Sequence, residues 1–262
     1  MVEAAGEAGV IALDIASRRG GALDIAEKPD GQGPVSEADL AVDRHLAARL
    51  GAARPGYGWL SEEAADGPAR LEAERVFIVD PIDGTRSFIA GEPGWAVAVA
   101  VAVAGRITAA AVVLPARGEV YAAALGAGAT LDGAPVAGSG RTALEGARLL
   151  AARPMLEARH WPGGVPPVDR QFRPSLAWRL CLAASGRFDA MATLRPTWEW
   201  DVAAGSLIAA EAGLTVTDGA GAPARFNRAP PQTAGMIAAP PPLHAALMAH
   251  RGIALAPDQR AG

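Results

Sequence analysis

The sequence is poor in several things whose absence narrows its function. It has one cysteine in 262 residues, Cys181, which excludes an internal disulfide and a thiolate metal site and suits a reducing cytoplasm. Flanked by Leu180 and Leu182, that thiol is expected to be buried and inert. No long apolar stretch is present: the longest, Trp95 to Ala104, is about half of what a helix needs to span a bilayer. The segment from Met1 to Arg19 carries Glu3, Glu7 and Asp14 among its apolar residues and so lacks the basic start and unbroken core of a signal peptide. It predicts an amphipathic helix, and a cytoplasmic protein without a membrane partner. Charge of one sign is lacking too. Charged residues make up 20% and the formal balance is -4, so nucleic acid polymer is not the expected partner, and an anionic substrate needs a local cation. Histidine is sparse: His45, His160, His244 and His250 are scattered beside charged or proline-rich segments and are expected at the surface rather than as ligands.

What is present is apolar residue in quantity, 50% of the chain, enough for one large domain or two lobes sharing an interface. Ala96, Ala98, Ala100 and Ala102 alternate with Val97, Val99, Val101 and Val103, the period of a strand. Gly105-Arg106 makes a turn, and Ile107 to Leu114 and Glu119 to Leu125 continue an antiparallel meander. Helices are predicted over Val2 to Arg18 and from Ser36 to about Leu50, the latter with Val42, Leu46 and Leu50 four apart. Past Asp132-Gly133 the pattern changes to alternating elements: strands at Leu149, at Phe188 to Thr193 and at Thr215 to Thr217, with helices at Ser175 to Ser185 and Asp201 to Ala212. After Pro240-Pro241-Pro242, taken as a stop, a last helix is predicted over Leu243 to His250. This division predicts an N-terminal α+β lobe over 1–136 and a C-terminal α/β lobe over 137–262.

Carboxylates cluster in short motifs. Val76-Phe77-Ile78-Val79 runs directly into Asp80-Pro81-Ile82-Asp83-Gly84-Thr85, which puts two acids three apart where a buried strand is expected to end. Two such carboxylates repel and take up a proton unless a hard divalent cation lets both stay ionised. The Ile82 carbonyl offers a further oxygen, and the amides of Gly84 and Thr85 a seat for phosphate. Taken alone the string is also an ordinary turn. Likewise Asp201 in Trp200-Asp201-Val202-Ala203-Ala204-Gly205 has the place of an N-cap, Glu62 in Ser61-Glu62-Glu63 that of a solvated loop, and Asp39, three after Ser36, that of a capping box.

Taken together, Lys28, Pro34-Val35-Ser36-Glu37-Ala38-Asp39, Ser61-Glu62-Glu63, Asp80-Pro81-Ile82-Asp83-Gly84-Thr85 and Trp200-Asp201-Val202-Ala203-Ala204-Gly205 resemble the inositol monophosphatase family in order and spacing. The resemblance implies an αβαβα layered sandwich, commonly a homodimer, with a site between the lobes. It implies two or three Mg²⁺ ions: Glu62, Asp80 and the Ile82 carbonyl at one, Asp80, Asp83 and Asp201 at a second, and Glu62 with water at a third. It further implies a lithium-sensitive phosphomonoesterase in which Thr85 and Asp39 orient and deprotonate an attacking water and Glu62 assists. A catalytically silent binding protein of the same fold is the rival from another class, but all six of Glu62, Asp80, Asp83, Thr85, Asp201 and Asp39 are present.

The resemblance divides on substrate. Inositol-handling relatives commonly place a Glu seven residues before the second-motif Asp, where this chain has Leu194. Arg195-Pro196-Thr197-Trp198-Glu199-Trp200-Asp201 instead resembles the Pro-Thr-x-Glu-Trp-Asp run of the family's bisphosphate nucleotidases. That favours a 3'(2'),5'-bisphosphate nucleotide, with Trp198 offering an apolar face to a purine and Glu199, Gly84, Thr85, Asp83 and Asp201 near the substrate. Inositol 1-phosphate is the alternative, and Arg86-Ser87-Phe88 with Trp95 resembles the histidinol-phosphate branch. Which of Trp198 and Trp200 is core is left open, as is whether Arg86 meets substrate.

Overall fold

The computed structural model describes residues 1–18, 23–28 and 33–254. Its first layer is a pair of helices, α1 (Val2–Arg18) and α2 (Glu37–Ala53), separated by a small hairpin of β1 (Ile25–Glu27) and β2 (Pro34–Ser36). Ser36 and Asp39 tie off α2 as a capping box. The second layer is a seven-stranded sheet with its strands side by side in chain order: β3 (Gly58–Ser61), β4 (Arg75–Asp83), β5 (Ala96–Val103), β6 (Arg106–Leu114), β7 (Glu119–Ala124), β8 (Ala129–Leu131) and β9 (Ala134–Pro135). All its pairings are antiparallel except β3 with β4. Short helices α3 (Ala69–Glu72) and α4 (Thr85–Ile89) flank β4.

The alternation along β5 decides what lies on each side of this sheet. Val97, Val99 and Val101 pack with Phe77, Val79 and the buried faces of α1 and α2. Ala96, Ala98, Ala100 and Ala102 face the other way, onto α5 (Leu176–Ala184) and α6 (Glu199–Glu211), the middle layer. Alanines on that face let two helices that are apolar nearly all round come close, and Gly205 of α6 meets Leu180 of α5 where a Cβ would lie 2.6 Å from the Leu180 Cβ.

Beyond the helices lies a five-stranded sheet in the order β11 (Asp169–Gln171), β10 (Arg148–Leu150), β12 (Ala190–Thr193), β16 (Met236–Ala239), β14 (Thr215–Thr217). Its inner residues Leu150, Met191, Met236 and Ala238 join the core of the first sheet, and its outer residues Leu149, Ala190, Ile237 and Ala239 pack on α7 (Pro241–His250). The five layers are therefore α, β, α, β, α. A two-stranded ribbon of β13 (Thr197–Trp198) and β15 (Gln232–Thr233) leads into α6.

Three expectations change. β4 does not end at Asp80: it continues through Asp83 with a bulge, Asp80 opposite Ala98 and Asp83 opposite Ala96, and Pro81 sits in the irregularity where no ladder donor is needed. The prolines before the last helix are its start rather than a stop, since Pro241 occupies the first helical positions, where a missing N–H costs nothing. His244 is not at the surface but fully buried on α7, bonded to Thr217 Oγ1 at 2.8 Å, and burial pushes its pKa down to about 4.

Candidate active site

Asp80 and Asp83 are delivered by the bulged end of β4, both buried. Gly84 then turns the chain in the left-handed region (φ 100), and a Cβ there would stand 2.9 Å from the Gly94 carbonyl oxygen, so only glycine fits. The Thr85 hydroxyl lies 3.0 Å from the Ile82 carbonyl and 3.1 Å from Asp39 Oδ1. Asp39 Oδ2 accepts from the amide and hydroxyl of Ser36 at 2.9 and 2.6 Å. Asp39 therefore ties off a helix and also reaches Thr85, its two oxygens divided between the tasks.

Glu62 follows β3, beside β4, and its Oε1 is 2.6 Å from Lys28 Nζ. The same ammonium meets Glu63 Oε1 at 2.6 Å. Asp201 lies in the first turn of α6, which begins at Glu199 rather than at Asp201, and there the helix dipole favours a carboxylate. Electrostatics shows that the acids share a neighbourhood. Burial raises Asp80 well above the usual carboxylate range, with Glu62, Asp83, Asp201 and Asp39 pushing further in that direction. Asp201 is raised well above it by burial, then by Asp83 and Glu62. Asp83 is raised by burial to about 6, less because Ser175 and the start of α5 donate to it.

Asp80 Oδ1, buried, has no hydrogen-bond partner among the described residues. A buried carboxylate oxygen without a donor costs stability unless something positive meets it. Among the described residues no three acidic, histidine or cysteine side chains close into a ready-made metal cage. What the chain provides is an all-oxygen donor set of like charge, which is the chemistry of a hard divalent cation.

Two residues not anticipated from sequence support this arrangement. Ser175 Oγ and the Ala177 amide each donate to Asp83 Oδ2 at 2.6 Å. Ser175 also caps α5, accepting from the Trp178 amide at 2.9 Å. A serine after a proline and before an apolar run signals a helix start, but nothing local links it to an acid 92 residues away.

Beside the acids opens a cavity of about 1010 Å³, floored by Asp83 and Asp201 and lined in part by Arg86, Arg159, Arg179 and Arg195. Gly84 and Leu194 line it, whereas Thr85, Trp198 and Glu199 do not. The Trp198 ring stacks on Trp200, centroids 4.9 Å apart, with Trp200 buried, and Trp198 is not on the cavity lining. Glu199 is fully buried and accepts from the amides of Asn227 and Arg228 at 2.6 and 2.9 Å, which makes it a brace for the following loop. Phe88 and Trp95 form an edge-to-face pair in the core beside α1 and α2, away from the cavity, so that sign of a histidinol-type site is structural. Of that motif, Arg86 and Ser87 reach the cavity.

Comparison with known proteins agrees with this geometry. The sequence profile described as "Inositol monophosphatase family" matches residues 1–255. The chain belongs to that family. It is 37% identical over 202 residues, 71% of this chain and 73% of the relative, to the inositol-1-monophosphatase of Rhizobium meliloti. It is equally 37% identical over 207 residues, 74% of this chain and 73% of the other, to a 3'-phosphoadenosine 5'-phosphate phosphatase of Mycobacterium leprae. The crystal structure of the extragenic suppressor protein suhB from Bartonella henselae superposes with a TM-score of 0.80 at 28% identity, covering 97% of this chain and 98% of that one. The family and the five-layer fold make this chain a phosphoric monoester hydrolase of the inositol monophosphatase type. Among the described residues, no helix is long and apolar enough to cross a membrane.

Proposed function

We propose that this chain is a Mg²⁺-dependent phosphomonoesterase whose substrate is a 3'(2'),5'-bisphosphate nucleotide, from which water takes one phosphoryl group and the nucleotide 5'-monophosphate leaves, in preference to inositol 1-phosphate. The observation that carries the metal part is the orphaned, buried Asp80 Oδ1 amid carboxylates of like charge. Asp80, Asp83, Asp201, Glu62 and the Ile82 carbonyl would hold the ions. Bound there, divalent cations supply Lewis acidity and make a water nucleophilic near neutral pH. The chain's own part is positional and acid–base. Asp39 Oδ1, bonded to Thr85, is the proton acceptor for the attacking water, and the Thr85 hydroxyl, held between Asp39 and the Ile82 carbonyl, orients it. The turn at Gly84 lets the Thr85 backbone approach the phosphate.

Leu194 and the arginine lining support the choice of leaving group. An apolar Leu194 side chain cannot accept hydroxyl hydrogen bonds from an inositol ring, while the guanidinium groups favour a substrate with more than one anionic group. A phosphate-release panel in Mg²⁺ tests this, comparing kcat/KM for 3'-phosphoadenosine 5'-phosphate, inositol 1-phosphate and histidinol phosphate. The nucleotide is expected to lead, and a tenfold or larger advantage for the inositol ester defeats the choice of leaving group. Full activity in excess chelator defeats the metal mechanism.

A further inference from the structure

We propose that the part of the cavity beyond the acids is a nucleotide subsite in which Phe172 is the platform for the base and Arg195 the cation that binds the second phosphate. This rests on the bisphosphate-nucleotide reading above and names the residues that would make it work. Phe172 is 48% exposed, an unusual place for a phenylalanine, and lies on the cavity wall. One face of its ring is covered, since the Arg179 guanidinium carbon sits 4.6 Å from the ring centre. Arg179 is itself buried and donates to the backbone carbonyls of Arg173 and Pro174, which fixes it and, with it, the plane of the ring. A fixed ring with one face backed and the rest open to the cavity is what base stacking requires, and stacking tolerates any base.

The arginines differ in how far their charge is already used. Arg159 is paired with Glu157 at 2.9 Å. Arg179 spends its donors on carbonyl oxygens. Arg86 is exposed next to Thr85, at the acid end of the cavity. Arg195 is exposed and its guanidinium has neither ion pair nor hydrogen bond to any described residue, yet its charge is felt by both Asp201 and Arg179. It is thus an uncommitted cation between the acid floor and the Phe172–Arg179 stack. Beyond Asp83 and Asp201, the carboxylate on the lining is Glu92, which accepts from Ser87 at 3.3 Å, so ring hydroxyls find little to bind, whereas a planar base and a dianion find a surface and a charge.

The test is steady-state kinetics in Mg²⁺ on 3'-phosphoadenosine 5'-phosphate, adenosine 3'-monophosphate and β-glycerophosphate, with wild type, Phe172→Ala, Phe172→Tyr, Arg195→Gln and Arg195→Lys. Losing a stacking partner is worth about tenfold in binding, so Phe172→Ala is expected to raise KM for both nucleotides by about that factor with little change in their kcat, and Phe172→Tyr to keep the wild-type KM. Arg195→Gln is expected to remove the preference for the bisphosphate over the monophosphate, and Arg195→Lys to keep part of it. Unchanged KM in Phe172→Ala together with an unchanged preference in Arg195→Gln overturns the subsite while leaving the nucleotide reading intact. A wild type that hydrolyses β-glycerophosphate as efficiently as the bisphosphate overturns the nucleotide reading itself.

Discussion

At one end of the cavity are the carboxylates Asp83 and Asp201, with the buried Asp80 next to them, all raised in pKa by burial; at the other, Arg195 is exposed, its guanidinium unpaired among the described residues. The acid end is strained, because carboxylates are held together out of water and one oxygen has no donor among the described residues. The basic end is not strained, since exposed guanidinium groups keep their hydration until a ligand replaces it. Strain of the first kind stores affinity for a cation and costs the empty protein stability. Charge of the second kind costs nothing in the free protein and selects among anions.

The largest effect separating the two ends is expected from Asp83→Asn and Asp201→Asn. Each removes a charge from the acid end with little change of volume, so turnover should be abolished while melting of the metal-free protein does not fall. A variant keeping more than about a tenth of wild-type kcat, a loss under ~1.4 kcal/mol, would show that its residue is no metal ligand.

A smaller effect appears in pH. Asp83, with a folded pKa of about 6 against 3.8 for an aspartate in the unfolded chain, holds its proton more tightly when folded. Its contribution is therefore fully present below the unfolded pKa and lost as pH rises through about 6, up to about 3 kcal/mol in the metal-free protein. His244 works in the opposite sense: its pKa of about 4 lies below the unfolded 6.5, so its contribution is present above 6.5 and lost as pH falls toward 4. Taking the difference in unfolding free energy between wild type and Asp83→Asn, in chelator from pH 4 to 7, cancels His244. That difference should move in favour of the variant as pH rises, and a flat difference removes Asp83 from the strained end. Arg179, held down to about 10 by burial, stays charged throughout, so the basic end contributes no comparable slope.

The smallest of these effects is a change of taste rather than of power. Leu194→Glu places an acceptor on the cavity wall among the arginines, and the ratio of kcat/KM for inositol 1-phosphate to that for 3'-phosphoadenosine 5'-phosphate should rise by about tenfold, near the value of one well-placed polar contact. An unchanged ratio would place Leu194 outside the specificity-determining wall.

The two ends also differ in how visible they are in the sequence. Asp80, Ile82, Asp83, Gly84 and Thr85 come from one run, and β4 with its bulge brings them to one place, so local spacing carried most of the acid end. Glu62 follows because β3 pairs in parallel with β4. In the first sheet β4 to β7 are equally readable, neighbours in chain order with the β5 alternation printed in alanine and valine, whereas β3, β8 and β9 are not. The basic end draws Arg179 from α5 and Phe172 and Arg195 from two loops, after β11 and after β12, with no spacing that links them. In the second sheet β10, β12 and β14 are legible as single strands, whereas β11, β16 and the strand order, unrelated to the chain, are not. Motif resemblance drew attention to Trp198 and Glu199, whereas packing used the first to stack on Trp200 and the second to brace Asn227 and Arg228.

The central claim, that the acid end is a cation site made by strained carboxylates, is tested most directly by thermal unfolding of wild type and Asp83→Asn in chelator and in millimolar Mg²⁺. Binding to the folded state alone raises Tm. The account predicts that Mg²⁺ raises the wild-type Tm, that Asp83→Asn melts no lower than wild type in chelator, and that the variant loses most of the Mg²⁺ response. A wild-type Tm indifferent to Mg²⁺, or an Asp83→Asn variant that responds to Mg²⁺ as fully as wild type, would contradict it.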